Sequence, residues 1–253
     1  MFNMASKRKY KNPAIKEAIF EAKFNYDSFD SAVPGQIFEQ IKTEYPHKQD
    51  IKHELVFLEK DTSVPASSMP AIQAPLMRVR KDDHSELLQF GPGIVVANRL
   101  KYSTWEDFIP SIKKITNAYL DTAKPQTLTR VGMRYINSFL IPESNTNILD
   151  YFKININIPD SLCSLNGFNL SLMNTIAIDE FIFNIRTRFL TDALTPNETG
   201  NKFILDTDCY VLLNIAPNTD QIISLATKAH NILGNVFEDT ITDKTRALMG
   251  DKQ

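Results

Sequence analysis

Apolar and polar positions alternate at period two in several stretches of this chain, and the ions of each stretch fall on one side. Glu17, Glu21 and Lys23 stand against Phe20, Ala22 and Phe24, and Arg130 and Arg134 against Val131, Met133 and Tyr135. Further on, Arg186 and Arg188 oppose Ile185 and Phe189, and Asp206 and Asp208 oppose Leu205 and Cys209. Side chains of a strand alternate between its two faces. Each stretch therefore predicts a strand with one apolar face for a core and one face of fixed charges.

The first predicted strand covers residues 15–25, after the turn signal Asn12-Pro13. Helical spacing of Ile37, Phe38 and Ile41 predicts a helix over 33–45, stopped by Pro46. Strands follow at 52–59, 75–81 and 86–98, the last interrupted at Gly91-Pro92-Gly93 by a bulge or sharp bend. The Ser- and Pro-rich stretch 61–74 reads as a loop. Ser103 and Glu106 have capping-box spacing. They open a helix with Trp105, Phe108, Ile109, Ile112, Ile115 and Tyr119 on one side, ending before Lys124-Pro125. Strands at 128–141, 153–158, 168–178, 180–190 and 203–215 follow, with a short helical segment at 148–152. A final helix over 220–240 carries Ile222, Leu225, Ala226, Ala229, Leu233, Val236 and Phe237, capped by Asn218 with Gln221 three residues on.

The order strand, helix, several strands, long helix thus occurs twice, with a boundary near Lys124-Pro125. The connections are too short for a doubly wound parallel sheet. The expected fold is α+β: two similar halves, 1–124 and 125–253, joined into a curved antiparallel sheet or barrel with the long helices packed on one face.

Composition narrows the function. With 253 residues, 43% hydrophobic and 23% charged, the chain has ample material for a core. A net charge of −2 argues against a general nucleic-acid binder, whose affinity comes from neutralising phosphates. The one dense basic cluster, Lys7, Arg8, Lys9 and Lys11, reads as a solvated tail. Cys163 and Cys209 lack metal-ligand or CxxC spacing and read as small buried hydrophobes. No secretory apolar region follows the N-terminus, and no apolar run approaches the roughly 18–20 residues of a membrane span. A soluble, cytoplasmic protein is expected.

Three segments carry a resemblance. Asn12-Pro13-Ala14-Ile15-x-Glu17-Ala18-x-Phe20-Glu21, then Arg130-Val-Gly132-Met-Arg134-Tyr135-Ile136-Asn137, then Phe237-Glu238-x-x-Ile241-Thr242 resemble a sporadically distributed family of uncharacterised bacterial proteins of similar length. The family's patchy distribution implies mobile genomic islands, where antiviral defence systems and toxin partners concentrate.

The candidate site is the charged strand face: Glu17, Glu21, Lys23, Arg78, Arg80, Arg130, Arg134, Arg186, Arg188, Asp206 and Asp208. Guanidinium groups suit anionic ligands, and the carboxylates of Asp206 and Asp208 suit a hard cation. A barrel lined this way would resemble the triphosphate-tunnel enzymes. Their E-x-E-x-K strand, however, is replaced here by Glu17-Ala-Ile-Phe-Glu21-Ala-Lys23. The competing reading is a structural lattice of cross-strand ion pairs. Histidines 47, 53, 84 and 230 form no HxH or HExxH pattern, and no G-x-S-x-G, Walker or Rossmann motif occurs. No cofactor or metal is expected. The reading is a non-enzymatic binding or adaptor protein, an accessory or antitoxin-like component of a defence or toxin system. Its partner would be another protein encoded nearby, with a homo-oligomer left open. The alternative is a phosphate-ligand or nucleotide-binding protein, or a metal-dependent phosphohydrolase, using the charged face.

Overall fold

The computed structural model describes residues 8–51, 76–142, 147–154, 169–196 and 198–250. The expected strand at 52–59, the loop at 61–74 and Cys163 lie outside them. Strands β1 (Ile15–Asn25), β2 (His47–Ile51), β3 (Leu76–Arg80), β4 (Glu86–Gly91), β5 (Ile94–Arg99), β6 (Thr127–Ile141), β7 (Asn169–Ile178), β8 (Phe181–Asp192) and β9 (Asn201–Ile215) form one antiparallel sheet. Its order is β2-β3-β4-β5-β1-β6-β9-β8-β7. Among the described residues the sheet is open, with β2 and β7 at its ends, and no barrel is formed. The helices are α1 (Val33–Ile41), α2 (Trp105–Ala123), α3 (Thr219–Thr240) and a short α4 (Asp243–Leu248).

The segregation foreseen from alternation holds. Ala18, Phe20, Ala22 and Phe24 of β1 are buried, as are Val131 and Met133 of β6 and Cys209 and Val211 of β9. The helix stripes meet this face: Ile37 and Ile41 of α1, Phe108, Ile112 and Ile115 of α2, and Ile222, Leu225 and Ala229 of α3 belong to the same core. Residues 1–124 meet 125–253 along the β1–β6 pair, so the sheet is continuous across that boundary.

Several local expectations are corrected. Residues 86–98 are not one bent strand but the β4–β5 hairpin, paired from Glu86↔Arg99 to Gly91↔Ile94. Gly93 turns it with φ of 74°, a conformation glycine adopts without steric cost. The Tyr119 hydroxyl of α2 locks the turn by donating to the Gly91 carbonyl at 2.8 Å and accepting from Gly93 N–H at 3.0 Å. The cap of α2 is Thr104, accepting from Asp107 N–H, while the Ser103 hydroxyl donates to the Asp107 carboxylate. The 148–152 segment is a single 3-10 turn, Ile148–Asp150, and Lys153 and Ile154 are not strand. Strand β2 and helix α4 were not foreseen.

Two ions of the sheet lie on its helix side, Glu86 and its cross-strand neighbour Arg99. Glu86 is 1% exposed and joins three elements. Its Oε2 accepts from Tyr45, just beyond α1, and from Ser111 of α2, and its Oε1 meets Lys81 and Arg99, each at 2.8 Å. Burial pushes its carboxyl pKa upward, but the bonds from Lys81, Tyr45 and Ser111 and the charge of Arg99 outweigh this and leave it lowered. Removing one member of such a cluster strands the others. Glu86→Ala is expected to cost about 3–5 kcal/mol of unfolding free energy, measured by urea denaturation.

Candidate functional site

The face opposite the helices is built by register. Gly132, Arg134 and Ile136 of β6 lie beside Glu21, Ile19 and Glu17 of β1, and Lys23 lies beside Arg130. Arg134 then lies beside Asp208 of β9, which lies beside Arg186 of β8, and Asp206 lies beside Arg188. Arg78 of β3 continues the face through Gln89 of β4 and Val96 of β5 to Glu21. All eleven residues foreseen from alternation share this face. Arg80 stands apart, at an exposed corner where its guanidinium meets His84 Nδ1 at 3.1 Å.

Two ionic groups occupy the centre. Arg134 donates through Nε and Nη2 to both oxygens of Asp206, each at 2.7 Å, and Arg188 donates to the same carboxylate. Asp206 is 3% exposed, so a bidentate guanidinium offsets much of its desolvation. Beside them, Arg130 Nε lies 2.8 Å from Glu21 Oε1 and its Nη2 lies 3.5 Å from Asp208 Oδ2. Lys23 approaches Glu21 at 3.6 Å. Arg130 also lies over the Tyr210 ring, 3.6 Å from its centroid, a cation–π contact. Gly132 makes room for this packing, because a Cβ there would meet Tyr210 Cβ at 3.1 Å. A side chain between the two arginines of the Arg130-Val-Gly132-Met-Arg134 segment would have to displace Tyr210 by a few tenths of an ångström.

Gln89 and Asn98 are both 1% exposed and were missed from the sequence. Arg78 donates to Gln89 Oε1 at 3.4 Å, Gln89 Nε2 to Asn98 Oδ1 at 3.2 Å, and Asn98 Nδ2 to Glu17 Oε1 at 2.6 Å. The amides extend the polar face from β3 to β1. Being neutral residues within apolar runs, they leave no ionic alternation to notice.

Ile19, Glu21, Val96, Arg130, Arg134 and Asp208 line a cavity of about 20 Å³, room for about one water. The carboxyl of Asp208 is pushed up from 3.8 to about 6, by burial first, with Glu21 adding to it while Arg130 and Arg134 pull the other way. Arg130, shared with Glu21 and 3.5 Å away, does not offset the loss of water. Asp208 thus keeps its proton up to about pH 6, where an ordinary aspartate has long lost it. A larger open groove of about 480 Å³ lies between α1 and α2, lined by Gln40, Glu44, Lys114 and Asp121, away from the charged face. Among the described residues, no three His, Cys, Asp or Glu side chains converge as metal ligands. Asp206 is held by Arg134 and Arg188, and Asp208 faces Arg130 at 3.5 Å. No helix among the described residues is long and apolar enough to cross a membrane. Compared with family models and with curated proteins, the chain matches none.

Two outcomes are expected. The folded chain binds the Asp208 proton more tightly than the unfolded chain does. Ionising it therefore costs nothing at low pH, costs progressively more from 3.8 to about 6, and costs a constant amount above that. Asp208→Asn is expected to gain on the order of 3 kcal/mol over wild type above this window, with the gain vanishing at acid pH; chemical denaturation across pH measures it. Replacing Arg130 and Arg134 together by Gln leaves buried carboxylates underpaired and is expected to lower unfolding free energy by roughly 3–5 kcal/mol, read from the same curves.

Proposed function

We propose that the chain is a binding protein that recognises another protein through this strand face, in an accessory, adaptor or antitoxin-like role within a bacterial defence or toxin system. The observation that carries the reading is an apolar corner beside the ionic centre. Leu212 of β9 is 65% exposed and Ile182 of β8 is 62% exposed. Register puts them side by side: Val211 pairs with Phe183, and Ile182 pairs with the exposed Ala177 of β7. Arg130 and Tyr210 border the corner. Exposed aliphatics against arginine and tyrosine have the composition of an interface centre. The ionic groups behind them already engage one another, which suits a preorganised floor better than a reaction centre. The partner system rests on the three resembling segments.

The excess of cations among the eleven candidate residues, seven against four carboxylates, favours as a second reading a phosphate-bearing ligand at the same place. Co-expression with the products of neighbouring genes tests both. Wild type is expected to co-purify with one of them, and Leu212→Asp with Ile182→Asp to lose it at least roughly tenfold while melting like wild type. A chain that stays alone and binds a nucleotide or polyphosphate in titration calorimetry supports the second reading. A chain that does neither overturns both.

A further inference from the structure

The two ends of the sheet are treated differently. Strand β2, described over His47–Ile51, carries His47, Lys48 and Asp50. Charge is a usual protection of a sheet edge against pairing with another chain. Strand β7 has ten residues, Asn169–Ile178, with no charge and no proline. Its pairing with β8 runs from Asn169↔Leu190 to Ile178↔Phe181 without a register shift, so no bulge bends the edge away. Asn169, Ser171 to Thr175 and Ala177 are all exposed, Met173 by 52% and Leu172 by 40%. Among the described residues no strand pairs with the outer edge of β7, and a strand of this length offers a row of backbone donors and acceptors about 33 Å long.

The side-chain pattern of β7 says what fits there. Two copies meeting edge to edge and antiparallel, about a two-fold axis normal to the sheet, keep their helix faces on one side. Only registers that pair like face with like face are allowed. On the helix face β7 carries Leu170, Leu172, Asn174, Ile176 and Ile178, since Ile176 pairs with the buried Phe183. Centring the axis on Asn174 sets Leu170 against Ile178, Leu172 against Ile176, and Asn174 against its own copy. On the other face it sets Ser171 against Ala177 and Met173 against Thr175. Every aliphatic of the helix face meets an aliphatic. The two Asn174 amides, each both donor and acceptor, bond reciprocally on the axis. Centring on Met173 instead would set Leu172 against Asn174.

We infer that a second copy of this chain adds to β7 in this register, joining two nine-stranded sheets into one. The inference concerns the backbone edge of β7 and stands apart from the partner surface on β8 and β9. Sedimentation and native mass spectrometry of the full chain, from nanomolar to high micromolar, test it. Wild type is expected as a two-chain species that separates on dilution. Asn174→Asp and Asn174→Lys each place like charges on the axis and are expected to weaken association by roughly fivefold or more. Mixing the two variants is expected to restore it as a heterodimer. Leu172→Lys breaks two apolar pairs and is expected to give a monomer with an unchanged melting curve. A wild-type chain that stays single at every concentration overturns the inference. So does a dimer indifferent to all three substitutions. A monomer that still captures a partner through Leu212 and Ile182 overturns it without touching the proposed function.

Discussion

The antiparallel pairing of β1 with β6 sets the parity of the whole sheet, because each side chain's face follows from its partner across that line. Slipping one strand by one residue would turn that strand over: Phe20 outward and Glu21 into the helix layer if β1 moves, Met133 outward and Arg134 inward if β6 moves. The apolar contacts of three helices oppose the slip on one side, and the ionic contacts oppose it on the other. Register is over-determined here, which is what lets charges sit at buried positions without disorder in their pairing.

Burial of ions is expensive whichever face they occupy, and both faces meet the cost by crowding partners onto one carboxylate. Glu86 holds four partners on the helix side of the sheet. Asp206 holds two guanidinium groups on the far side. Asp208 is the exception, with one distant arginine and a competing carboxylate nearby, and accordingly its proton is the one held toward neutral pH. The ionic layer is therefore uneven: firm on the β8 side of Arg134, yielding around the small cavity.

Much of the fold was legible because alternation and helical spacing are local. Strand β1 falls where the pattern from Ile15 to Asn25 places it, and α3 begins at the cap Asn218. The segment His47–Ile51 has no such pattern; it becomes β2 by pairing with β3, a tertiary effect that local reading misses. The 91–93 triplet showed a break but not that the chain reverses there, since a bulge, a bend and a two-residue turn share the same glycine and proline signal. At the candidate site, membership of the face was readable from the ions alone. The pairing Arg134–Asp206 was not, because β9 lies next to β6 only through the return of β7 and β8.

The amide chain on the β3–β1 side of the face has a direction. Arg78 has only donors to give and Glu17 Oε1 accepts, so Gln89 and Asn98 between them are each held in one orientation. Reversing either amide would oppose like atoms at both of its contacts. The group dipoles add head to tail, from a cation near the sheet's rim to an anion on its central strand. Whatever neutralises or attracts Arg78 at the rim therefore alters the polarisation felt at Glu17, two strands beyond Gln89, with no backbone movement at all.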